Sequence, residues 1–115
     1  LGMRFLDSTK THRISGNVGK KLKSTTGWQY TGYLMDPDGN NSSGFNALPA
    51  GRADGIAESK LAFHDLKWST SYWTSSTTQD NYYAWSRWLS NSSSGIFRGH
   101  DRKASGYSVR CIKDE

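Results

Sequence analysis

YWTSSTTQDNYYAWSRWLSNSSSGIFRGHDRKASGYSVRCI, residues 72–112, decides the fold class. Short runs rich in aromatic and β-branched residues at 72–76, 83–89, 95–98 and 107–112 predict strands. In the second run, Trp85 and Leu89 fall on one face and Ser86 and Trp88 on the other. In the last, Tyr107, Val109 and Cys111 alternate with Ser108, Arg110 and Ile112. That alternation makes Trp85, Leu89, Val109 and Cys111 the expected core positions. The connections 77–81, 90–94 and 99–106 are rich in Ser, Asn, Asp and Gly and short enough for an antiparallel meander.

Working outward, residues 36–44 (DPDGNNSSG) read as a loop. Pro37 fixes φ, Gly39 and Gly44 permit positive φ, and the Asn and Asp side chains close turns onto the backbone. Residues 45–49 form a short apolar run, and 51–55 turn away from it. Residues 56–70 are ambiguous, with a weak helical option at 58–67. Residues 18–24 alternate weakly and predict a strand or extended arm ending at Gly27-Trp28. The basic stretch 1–27 is a lead-in, in which Leu1, Met3, Phe5 and Leu6 sit at helical spacing. Because Leu1-Gly2-Met3 is not a natural start, a mature or excised segment of a longer chain is expected. No run approaches membrane-spanning length and none reads as a signal peptide.

At 115 residues the chain fits one domain, and only 34% of them are hydrophobic. The aromatic residues (Trp 5, Tyr 6, Phe 4) compensate with large apolar area per side chain. Together these features predict an α+β domain: a twisted antiparallel sheet with long loops and little helix. The net charge of +5 is dispersed. Lys20, Lys21 and Lys23 are the one tight basic group, and Arg98, Arg102 and Lys103 a looser one, which fits ordinary surface charge better than a nucleic-acid footprint.

Cys111 is the single cysteine, so neither an internal disulfide nor a cysteine-based metal site can form. His12, His64 and His100 lie in no nucleophile or base motif, and no carboxylate pair suits glycoside hydrolysis. The expectation is therefore a binding domain and not an enzyme. Asp36, Asp38 and Asn40 place three oxygen ligands within five residues, a candidate calcium site. Gly39 comes too early for an EF-hand loop, no bidentate Glu follows, and turn formation explains the same residues.

Tyr72, Trp73, Tyr82, Tyr83, Trp85 and Trp88 lie within seventeen positions, more aromatics than one small core needs. Rigid amphipathic rings beside Ser, Asn, Arg and Gly make an adaptable recognition surface, and ring faces with adjacent amides suit sugars. The expected ligand contacts are Tyr82, Tyr83, Ser86, Trp88, Asn91, Phe97, Arg98, His100 and Arg102. The expected partner is a carbohydrate or a cell-surface protein. A polyanion, or self-association as an assembly domain (a homo-oligomer), are the other classes.

Gly19-Lys-Lys-Leu-Lys-Ser-Thr-Thr-Gly-Trp28, Ser43-Gly-Phe-Asn-Ala-Leu-Pro-Ala-Gly-Arg52, Tyr72-Trp-Thr-Ser-Ser76, Ala84-Trp-Ser-Arg-Trp-Leu89 and Gly106-Tyr-Ser-Val-Arg-Cys-Ile-Lys-Asp114 follow one another in order. Taken together they resemble the Fibrobacter succinogenes major paralogous domain, over about residues 19–114. The resemblance implies a C-type-lectin-like fold related to the formylglycine-generating-enzyme branch, in surface or secreted proteins of gut and rumen bacteria. It implies an extracellular or cell-surface location. The Cys-Pro-x-Gly-Trp opening and first helix usual in the family are not present, so Cys111 lacks the partner the family would supply. A lone cysteine also cannot supply the reactive pair of the oxidase branch, and the sugar-binding calcium motifs of animal lectins are missing. The same branch contains the variable proteins of diversity-generating retroelements. Asp80, Asn81, Tyr82, Tyr83, Ser86, Ser90–Ser94, Gly99, His100 and Asp101 have the composition that adenine mutagenesis leaves, as ordinary loops also do.

Overall fold

The computed structural model of the chain describes residues 13–32, 36–54 and 62–111. Six strands and one short helix appear there: β1 (Arg13–Ser15), α1 (Val18–Leu22), β2 (Arg52–Asp54), β3 (Ala62–His64), β4 (Ser69–Thr77), β5 (Tyr83–Ser90) and β6 (Ile96–Arg102). The expected meander forms the main sheet, with β4, β5 and β6 antiparallel in sequence and β1 added beyond β6, in the order β1-β6-β5-β4. β2 and β3 pair as a separate antiparallel ribbon.

Register assigns the two faces of the main sheet. Thr70 lies opposite Leu89, Tyr72 opposite Arg87, Arg87 opposite Arg98 and Trp85 opposite His100. These residues share the inner face. Ser71 opposite Trp88, Trp88 opposite Phe97 and Ser86 opposite Gly99 share the outer one. The core covers one end of the inner face, where Leu89 and Ile96 pack with Val18 and Leu22 of α1, Trp28 and Ala47. Phe45 and Tyr72 close its rim edge-to-face, at 5.3 Å between ring centroids. Leu89 is thus the core residue its alternation predicted, whereas Trp85 lies further along the same face, half-buried beneath Arg98.

Several local expectations are overturned. Residues 18–24 are not a strand but begin as α1, since Val18 and Leu22, four apart, reach the core on one helical face. Gly19 makes this docking possible: a Cβ there would lie 1.9 Å from the Gly95 carbonyl oxygen, and Lys20 N donates to Ser94 O at 2.9 Å. Residues 52–54 form a strand rather than a turn. The helical option at 58–67 is replaced, within the described residues, by β3 and the turn that follows it. The helical spacing of residues 1–6 falls outside the described residues. Residues 99–102 extend β6 instead of opening a loop.

The largest correction is at 107–112. No strand forms there among the described residues. Gly106 bridges Ala53 of β2, and Ser108 bridges Tyr72 of β4, one residue each. Beyond them Arg110, itself exposed, lays its guanidinium 4.6 Å from the Phe45 ring centre, and Val109 is left 69% exposed, with Cys111 exposed as well. With single bridges in place of a continuous ladder, alternation does not set an inner face here.

Lys23 has no exposed surface, yet carries a charge into the fold. Its Nζ donates to the carbonyls of Pro37 (2.6 Å), Ser90 (3.1 Å) and Ser93 (3.1 Å), and sits 5.0 Å from the Trp28 ring centre. One ammonium therefore ties loop 36–44 to the β5–β6 loop. Burial lowers its pKa from the ordinary value to about 8, against a smaller upward pull from Asp38 and Asp36. Between about 8 and 10.5 the folded chain therefore holds fewer protons here than the unfolded chain, so this group favours folding increasingly as pH rises across that window. A heteronuclear NMR titration of the Lys23 side chain is expected to show a midpoint near 8; a midpoint at 10.5 would mean that the ammonium is solvated.

Candidate functional site

The outer face of the main sheet is not flat. Ser71, Ser86 and Gly99 leave its floor low, and larger groups rise around them. Trp88 and Phe97, paired across β5 and β6, meet edge-to-face at 5.3 Å and form one wall. Arg52 and Asp54 of β2, Asp101 of β6, Ser105 and Tyr107 complete a cleft of about 250 Å³.

The two single-residue bridges explain how distant segments meet there. Ala53 and Gly106 exchange backbone hydrogen bonds of 2.8 Å in both directions, and Ser108 N donates to Ser71 O at 2.8 Å. Tyr107, held between them, faces the cleft and stacks on Trp73 at 4.3 Å. Gly106 is required for this approach, since a Cβ would come within 2.9 Å of Ala53 Cβ.

Polar groups in the cleft are held by one another. Ser86 Oγ donates to Asp101 Oδ2 at 3.3 Å. Arg52 Nε donates to Asp54 Oδ1 at 3.1 Å and its Nη1 reaches Asp65, while His64 Nε2 lies 3.2 Å from Asp54 Oδ2. Burial holds the Tyr107 phenol well above its ordinary pKa, and the neighbouring Asp101 carboxylate adds to the shift. Tyr107 is therefore a neutral hydroxyl at physiological pH. The cleft offers aromatic faces, two anchored carboxylates and one guanidinium.

Of the nine expected contacts, Ser86, Trp88 and Phe97 line this cleft. Of the other six, Asn91 lines a neighbouring cavity that shares Trp88, and the remaining five lie elsewhere. Arg98, His100, Tyr83 and Arg102 lie on the inner face, beyond the core. There Arg98 stacks over Trp85 at 3.6 Å, and His100 meets the rings of Trp85 and Tyr83 at 5.0 and 5.2 Å. Tyr82 is exposed in the turn before β5, 4.9 Å from the Tyr83 ring. Asn91 is buried, and its Nδ2 donates to Gln29 O at 2.7 Å, a structural bond between two loops.

Asp101, Tyr107, Arg52 and Asp54 were not among the expected contacts. Asp101 lies where a loop was expected to begin, and Tyr107 was assigned to a core face. The approach of β2 depends on single bridges, Ala53 to Gly106 and, just before the strand, Gly51 to Thr70, which no local pattern encodes.

The calcium candidates have separate partners. Asp36 pairs with Lys20 at 3.6 Å, Asp38 Oδ1 accepts from Trp28 N at 3.0 Å, and Asn40 Oδ1 accepts from Ser42 N at 3.0 Å. The cation beside this loop is the Lys23 ammonium. Among the described residues, no group of three or more His, Cys, Asp or Glu side chains is placed to hold a metal ion. No helix among them is long and apolar enough to cross a membrane.

Comparison with protein-family models matches residues 1–113 to the Fibrobacter succinogenes major domain, a span that begins before the motifs starting at Gly19. No curated protein and no solved structure matches the chain.

Proposed function

Starting from the fact that the chain belongs to the Fibrobacter succinogenes major domain family, we propose that it is a non-catalytic carbohydrate-recognition domain of a secreted or cell-surface protein. The observation that carries this reading is the outer-face cleft, where Trp88, Phe97 and Tyr107 surround Asp101, Asp54 and Arg52. Ring faces bury the C–H surfaces of a sugar, while carboxylates and a guanidinium match its hydroxyls with charge-assisted hydrogen bonds. A few fixed polar groups in a mostly pre-formed concavity are the usual makeup of a small-molecule site.

The reading includes the C-type-lectin-like version of the fold. It is supported by the antiparallel sheet, the single short helix among the described residues, and the long loops. The carboxylates are held in place for recognition: Asp101 is engaged by Ser86, and Asp54 by Arg52 and His64, which fixes their oxygens as acceptors for a ligand's hydroxyl groups.

A glycan array run with calcium and again with chelator is the first test. Specific hits that survive chelator are expected, since the cleft's charges come from side chains. Loss of every hit with chelator would return the 36–40 loop to consideration as a metal site. A blank array in both conditions would overturn the carbohydrate reading in favour of protein recognition. Prolonged incubation of a hit with the protein is expected to release no product; product whose formation stops in Asp101→Asn would make the domain an enzyme.

A further inference from the structure

The cleft does not end at Trp88. A second cavity of about 280 Å³ opens on the other side of the same indole, lined by Trp68, Ser69, Ser90, Asn91 and Thr31. A smaller one of about 90 Å³, over Ser90, Ser93 and Phe97, shares Phe97 with the first cavity and Ser90 with the second. All three concavities are lined by Trp88, which makes it the common wall of a groove on the outer face of the sheet.

Two features of the second cavity point to a polar, ring-shaped occupant. Trp68 is 51% exposed, a large aromatic face open to solvent at the cavity wall. Beside it, the Ser90 and Ser92 hydroxyls, 2.8 Å apart in an exposed hydrogen bond, line the same cavity. A sugar supplies a C–H face for Trp68 and hydroxyl groups for these serines.

The two larger cavities are of similar size, about 250 and 280 Å³. We propose that the ligand is an oligosaccharide of at least two rings that crosses Trp88, with one ring in the Asp101 cleft and the next against Trp68. This rests on the carbohydrate reading above, and it adds chain length as the property selected.

Calorimetry with β-1,4-linked gluco-, xylo- and manno-oligosaccharides of one to six units tests it. In the series that binds, affinity is expected to rise about tenfold or more from one unit to two or three and then level off. Trp68→Ala should abolish that rise; the residue is half-exposed, and a melting curve checks that the fold is kept. Equal affinity for one unit and for longer chains, or an unchanged rise in Trp68→Ala, would overturn the two-ring groove and leave the cleft reading standing. No binding by any of the three series, together with a blank array, would end both.

Discussion

Replacing Lys23 with methionine is expected to destabilise the fold by roughly 3–5 kcal/mol, lowering the melting temperature by about 15 °C. Methionine keeps the length of the stem and its contact with Trp28 but removes every N–H. The carbonyls of Pro37, Ser90 and Ser93 then lose their shared donor inside the fold. Replacing a buried ion pair by apolar groups can be neutral when both partners are exchanged, but backbone carbonyls cannot be exchanged. The loss should show first in loop 36–44 and the β5–β6 loop, as faster amide exchange at Gly39 and Asn91 than in β5. A melting temperature within a degree or two of the parent would show that water replaces the ammonium, and would remove Lys23 as the tie between these loops.

The second large effect is on binding. Trp88→Ala should weaken a glycan ligand by about 30- to 1,000-fold, the 2–4 kcal/mol typical of a buried aromatic anchor. Trp88 touches all three concavities of the groove, and its truncation also removes the edge-to-face partner of Phe97. Trp88→Phe separates the two roles, since it restores a ring for packing but lacks the indole N–H. An intermediate affinity in Trp88→Phe with near-parent melting is the expected pattern. Parent-like binding by Trp88→Ala would place the ligand elsewhere, and the inner-face row of Tyr83, Trp85, Arg98 and His100 would then be the surface to truncate next.

The meander was legible because β4, β5 and β6 are consecutive and joined by turn-forming loops, so local alternation and global pairing agree. Leu89 and Trp88 were assigned to opposite faces for the same reason, and the structure keeps them there. Legibility failed where segments distant in the chain meet. Tyr107, Val109 and Cys111 alternate as a strand would, but residues 106–108 are gripped by one-residue bridges to β2 and β4, and Arg110 reaches Phe45. Residues 18–24 carry too few apolar positions for period to separate a strand from a five-residue helix.

The candidate site was half legible for a related reason. Ser86, Trp88 and Phe97 follow from strand phase, yet Arg98 and His100 have the opposite phase on β6 and cannot share their surface. Extending β6 through Arg102 is what brings Asp101 onto the outer face, and its length was hidden by the Gly99-His100-Asp101 composition, which resembles a loop. Arg52 and Asp54 carried no signal, because their place depends on a ribbon docked through Gly106.

Lys23 grips main-chain oxygens, and that has a consequence for how this domain tolerates change. The Ser90–Asn91–Ser92–Ser93 turn is anchored through carbonyls that every amino acid possesses, while Ser90, Ser92 and Ser93 side chains make only bonds to near neighbours. Substitution at those three serines leaves the anchor itself in place. Those three positions beside the groove can therefore drift, or be randomised in a display library, at little cost to folding, whereas the same freedom at Asn91, Lys23, Gly19 or Gly106 would be paid in the scaffold. The fold separates residues that hold the frame from residues that are free to acquire new specificity.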